Sequence, residues 1–183
     1  MRRAVPYLLC LFLLLAAAGM VQFGLGLASD LADNRTIRAL HAGRTAEPRA
    51  AGDPRAHLAM ALFLSWRGRI AEAEALAPFL EDAPNALRSD FHYAIGNARM
   101  REAYEYIATR RIDDAAPVVA LAKAAYRDAL RAEPGNYDAK VNLDLASRLV
   151  RDMPRPGAEK GEEDEKQPRQ IWTDLPGLPR GAP

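Results

Sequence analysis

The chain has 183 residues, 27% of them charged, and a formal net charge of +1, a balance that implies no polyanionic partner such as nucleic acid. Its single cysteine, Cys10, excludes an internal disulfide framework and carries no information on compartment. Hydrophobic residues reach 49%, raised by alanine and by one apolar run near the start, and β-branched alternation is absent, which predicts an all-α protein.

Arg2 and Arg3 precede an apolar stretch from Tyr7 to about Ala28, interrupted only by Gln22. A run of ~20 such residues, coiled as a helix, crosses a hydrocarbon core of ~30 Å. A cleaved secretory signal competes with this reading, because Ala16, Ala17 and Ala18 offer small residues for processing. The run continues through Met20, Val21 and Phe23, longer than a signal core, and favours a membrane anchor over residues 1–28. Leu9 before Cys10 is too large for a lipoprotein site, and the cysteine comes too early. The two arginines and the amino terminus favour a cytoplasmic start. The expectation is a single-pass protein of a bacterial inner membrane with the bulk of its chain in the periplasm.

Residues 29–153 read as a helical domain. Ser29 or Asp30 caps a short exit helix ending near His41, and Gly43, Pro48, Gly52 and Pro54 punctuate a loop. Asp53 caps a helix that starts at Pro54, a favoured first position, and presents Leu58, Ala61, Leu62, Ser65 and Trp66 on its apolar face. Gly68 turns the chain into a return helix from Ile70 to about Leu80, with the small Ala73 on its packing face. A second, longer hairpin comes next. Its first arm runs from about Ala86 to Arg110 with Leu87, Phe91, Ile95 and Ala98 along one face. Asp113 or Asp114 caps the second arm, and Pro117 falls in its first turn. Ala122, Ala125, Tyr126, Ala129 and Leu130 recur there at helical spacing, and Pro134 stops the arm. Asn136 then caps a closing helix from Tyr137 to about Arg151, with Ala139, Leu143, Ala146 and Val150 inward and Asn142, Asp144, Arg148 and Arg151 on its wet side.

The tail changes character twice. Residues 154–170 are charged and without aromatics, a composition that reads as a linker. Glu162, Glu163, Asp164 and Glu165 lack the spaced, glycine-containing loop of a calcium site. Residues 171–183 then restore Ile171, Trp172, Leu175 and Leu178 among prolines, which favours docking onto another protein over folding back. Trp172, Asp174, Leu175, Pro176 and Leu178 are its candidate partner-binding residues.

Chemistry-bearing constellations are missing. His41, His57 and His92 are scattered without a second ligand at metal spacing, so His57 and His92 read as packing residues. There is no Gly-rich phosphate loop, nucleophile elbow or Cys-His pair, and the paired acids read as a cap and a loop. No enzyme activity, cofactor or metal is expected.

Two resemblances sharpen the picture. The strings WRGRIAEAEAL, Gly96-Asn97-Ala98 and AYRDALRAEPGNYDAKVNL resemble tetratricopeptide repeats, with Gly68, Ala73, Gly96, Ala122, Tyr126, Ala129 and Pro134 at repeat-packing positions. The interval from Gly96 to Pro134 exceeds that of the ~34-residue repeat, so the stack is irregular. Its five main helices would expose a groove lined by first-type helices, where peptides or partner helices bind. The whole layout, with the terminal Trp172-Thr173-Asp174-Leu175-Pro176-Gly177, resembles the MxaK family of methanol-oxidation accessory proteins. That resemblance implies assistance in maturing periplasmic methanol dehydrogenase, an enzyme holding calcium and pyrroloquinoline quinone, including its calcium loading. It also implies action through other accessory proteins: von Willebrand A-domain proteins, indirectly a MoxR-type ATPase, and the dehydrogenase itself. The alternatives are a general repeat adaptor of a MoxR and A-domain membrane system unconnected with methanol, and an accessory subunit of the finished enzyme.

Overall fold

A computed structural model describes residues 5–152, and they are helical throughout, with no strand among them. Six α-helices occur in order: α1 (Val5–His41), α2 (Pro54–Trp66), α3 (Ile70–Glu74), α4 (Asn85–Ala108), α5 (Ile112–Ala132) and α6 (Tyr137–Asp152), with a 3-10 turn at Ala77–Leu80 between α3 and α4. The charged linker and the Trp172 segment lie outside the described residues.

α1 is one uninterrupted helix of 37 residues, long and apolar enough near the N-terminus to cross a membrane. The expected break at Ser29 or Asp30 is absent. Nothing in Ala28–Asp33 breaks a helix, so the apolar segment passes directly into the part that packs on the domain, where Ile37 and Leu40 join the core.

Below that packed end sits a polar clasp. Asp33, only 4% exposed, accepts from Arg49 Nη2 at 2.8 Å and from the Asp53 backbone N–H at 2.9 Å. Arg49 Nη2 also donates to Ser29 Oγ at 2.6 Å. Gly52 fits because it lacks a side chain: a Cβ there would lie 2.9 Å from Asp33 Oδ1. At the other end, Arg67 donates to the Gly43 carbonyl at 3.0 Å. The last turns of α1 and the whole of α2 therefore lie side by side and run the same way, with the loop of residues 42–53 doubling back between them. Asp33→Ala should cost about 1–3 kcal/mol, because it strands the part-buried Asp53 N–H and removes a charge-assisted pair. Urea titration of the detergent-solubilised chain measures it, and an unchanged midpoint would count against the clasp.

α2 begins as expected, with Asp53 accepting from the Arg55 N–H at 2.8 Å, and turns at Gly68, whose φ of +72° suits glycine. Trp66, expected on the buried face, is instead 73% exposed. The return helix stops after five residues. Pro78 lacks an N–H, and its ring would clash with the Glu74 carbonyl one turn back, so a 3-10 turn takes over and Leu80 fills the core instead. His57 is buried flat against Phe79, ring centroids 4.4 Å apart, as a packing residue.

α4 and α5 are the most extensively packed pair, joined by three residues and therefore antiparallel. α5 starts at Ile112, before the expected cap. Neither Asp113 nor Asp114 caps it, and Asp114 pairs with Arg111 at 2.7 Å. Pro117 consequently lies in the second turn. α6 is capped by Asn136, whose Oδ1 accepts from the Ala139 N–H at 3.0 Å. Two apolar clusters result. One joins Leu40, α2, Leu80 and the first half of α4; the other joins the second half of α4 to α5 and Ala146 of α6. The side chain of Val150 lies outside those described.

Candidate functional site

Four of the residues expected at repeat-packing positions, Gly96, Ala122, Tyr126 and Ala129, build the floor of a site. Ala122 and Ala129 are fully buried on α5, and Tyr126 between them is 1% exposed. The Tyr126 ring lies on Gly96 of α4 so closely that a Cβ at Gly96 would meet it at 2.6 Å. Small alanines bring α5 close, and the missing side chain at Gly96 lets the ring reach through toward α6. Ala73 is buried on α3, and Pro134 is exposed in the α5–α6 turn. These residues position the site and do not line it, Tyr126 excepted.

Where the Tyr126 ring emerges, its O–H donates to Asn97 Oδ1 at 2.8 Å. Asn142 of α6 donates to the same oxygen at 2.8 Å and to the Tyr93 hydroxyl oxygen at 3.3 Å. Asn142, expected on the wet side of α6, turns inward and gives the Asn97 oxygen a second donor. Burial, with the neighbouring Tyr93 next, pushes the Tyr126 phenol far above its ordinary range, so it acts as a neutral donor.

Two clefts open above this floor. One, of about 310 Å³, lies between α2 and α4 and includes Leu62, Trp66 and Tyr93. The other, of about 230 Å³, lies between α4 and α6 and includes Tyr104 and Leu145. Asn97 and Arg101 line both, so the clefts are two parts of one groove along α2, α4 and α6. Arg101 stacks its guanidinium 4.5 Å from the Trp66 ring centre and donates to the Ser65 carbonyl at 2.9 Å. It forms no salt bridge among the described residues. The Ser65 hydroxyl, at the edge of the groove, is buried without a partner.

A guanidinium without an acidic partner among the described residues, two amides and exposed aromatic side chains suit the recognition of a polypeptide, whose backbone needs donors and acceptors and whose side chains need apolar walls. The described residues hold no group of three or more His, Cys, Asp or Glu placed to bind a metal. Periodicity does not single out Arg101 or Asn142, and it assigns Trp66, Tyr93 and Tyr104 to packing. The hint is Asn97, a polar residue between buried neighbours on α4. Trp172, Asp174, Leu175, Pro176 and Leu178 of the tail lie outside the described residues. No protein-family model, no curated protein and no solved structure matches the chain.

Proposed function

We propose that this protein is a membrane-anchored, tetratricopeptide-like scaffold that holds partner proteins in the groove of α2, α4 and α6. The observation that carries the proposal is the groove itself: Trp66, Tyr104 and Leu145 stand open beside Arg101, which has no acidic partner there. α1 supports the placement, because it roots that groove in a helix of membrane-spanning length. With Arg2 and Arg3 before the span, the domain faces the periplasm.

The likeness of the whole layout to the MxaK family supports a narrower reading, in which the scaffold assists methanol dehydrogenase maturation and its calcium loading. Its partners on this reading are accessory von Willebrand A-domain proteins, with a MoxR-type ATPase reached through them, and the dehydrogenase. The tail segment around Trp172 adds a second contact to the same assembly.

Arg101→Glu tests the groove. Crosslinked native membranes carrying this variant should yield about tenfold less A-domain protein or dehydrogenase, the loss typical of one desolvated anchor. Unchanged yield would remove the groove as the binding surface. Loss of the gene should leave dehydrogenase depleted of calcium; fully loaded, active dehydrogenase would end the methanol reading and leave the general adaptor.

A further inference from the structure

We propose that the loop between α1 and α2 rests on the lipid headgroups of the bilayer crossed by α1, an inference that rests on the membrane reading of that helix. The apolar run ends at Ala28, so Ser29 stands where hydrocarbon gives way to headgroups. The loop leaves the far end of α1 at His41 and could have continued away from the membrane. It returns instead. Arg49 Nη2 donates to Ser29 Oγ at 2.6 Å and to the Ser29 carbonyl at 3.2 Å, which brings the guanidinium to the depth of Ser29 itself. One turn farther along, Asp33 holds Arg49 Nε at 3.3 Å and the Asp53 N–H at 2.9 Å, so the loop cannot swing up without breaking the clasp. Ala50 and Ala51, both exposed, sit at the tip beside Arg49 and have no bulk to hold it off the surface.

A guanidinium at this depth lies among phosphate oxygens, its favoured surroundings at a membrane interface. Net charge does not drive the contact, because Asp33 and Asp53 pair with Arg49 and Arg55 at 2.8 and 2.6 Å. The loop is delivered to the headgroups by geometry, and its depth should not depend on anionic lipid. The opposite end of the domain stands clear. Arg101 meets the Ser65 carbonyl at the end of α2, and Thr109, just past the end of α4, lies two turns farther on, about 35 Å from the level of Ser29 by helical rise.

The test uses the full chain with Cys10→Ser, reconstituted into phosphatidylcholine vesicles with or without phosphatidylglycerol. A fluorophore is attached through Ala51→Cys or Thr109→Cys, and quenching by a headgroup-nitroxide lipid is measured. Several-fold stronger quenching at position 51 than at 109, equal in both vesicle types, is the expected result. Equal quenching at the two positions in a chain that resists alkaline carbonate extraction would overturn this inference alone. Quenching at position 51 confined to phosphatidylglycerol vesicles would overturn placement by geometry. A chain released by carbonate would overturn the membrane reading of α1 and this inference with it.

Discussion

Tyr126→Ala is expected to lower the free energy of unfolding by about 3–5 kcal/mol, the usual cost of deleting a fully buried aromatic ring. The ring is 1% exposed and fills the space between Gly96 and the face of α6, so its loss leaves a hole that the helical backbones around it cannot easily collapse to close. Tyr126→Phe isolates the hydroxyl. It should cost about 1 kcal/mol at neutral pH, because the Asn97 oxygen keeps its bond from Asn142. The phenol also imposes a pH dependence. Burial holds it protonated in the folded protein, whereas in the unfolded chain it ionises near ~10. Above that pH the folded state carries the extra proton, so stability contributed by this group falls as pH rises, by up to ~1.4 kcal/mol per unit. Urea midpoints measured from neutral to strongly alkaline pH should fall less steeply in Tyr126→Phe than in the parent. Parallel curves would contradict the buried phenol.

Gly96→Val attacks the same contact from α4 and should cost about 2–3 kcal/mol. A glycine in mid-helix ordinarily gains about 0.5–1 kcal/mol on acquiring a small side chain such as alanine. Here the first added carbon would lie 2.6 and 2.7 Å from two ring atoms of Tyr126, and the ring can make way only by giving up its bond to Asn97. The two positions must therefore couple. Combining Gly96→Val with Tyr126→Leu should destabilise by less than the sum of the single changes, with a coupling of at least about 1 kcal/mol. Strict additivity in the double-mutant cycle would mean that ring and glycine do not share space.

How much of the fold is legible in the sequence depends on how local each cause is. The apolar run of α1, the Asp53 and Asn136 caps and the turn at Gly68 depend on near neighbours, and each stands where residue type alone places it. The alanine stripe of α5 is visible for the same reason, since one helical face carries Ala122, Tyr126 and Ala129. Expectation and structure part where a distant partner decides. Ser29 is a good capping residue, yet its hydroxyl is taken by Arg49, twenty positions away, while the helix runs through it. Asn142 looks like a surface residue until Asn97, forty-five positions earlier, supplies its acceptor. Trp66 has the spacing of a core residue, but it stands mostly exposed, with Arg101 of α4 over one face of its ring. Pro78 is the exception, a local signal that the extended return helix ignores, since a proline four residues beyond Glu74 is sufficient to end α3. The lining of the groove is thus less legible than its place: Trp66, Asn97, Arg101 and Asn142 are set in it by contacts with other helices.

The passage of α1 without a break into the body of the protein fixes an angle as well as a position. Each residue added to a helix rotates the downstream chain by about 100° and advances it by about 1.5 Å. One residue inserted between Ala28 and Asp33 would swing the apolar, membrane-length segment to a different azimuth relative to the clasp. Four inserted residues would restore the azimuth to within a few tens of degrees and raise the body by about 6 Å. The length of this junction therefore acts as a phase, and the direction in which the groove faces relative to the apolar segment is set by a residue count.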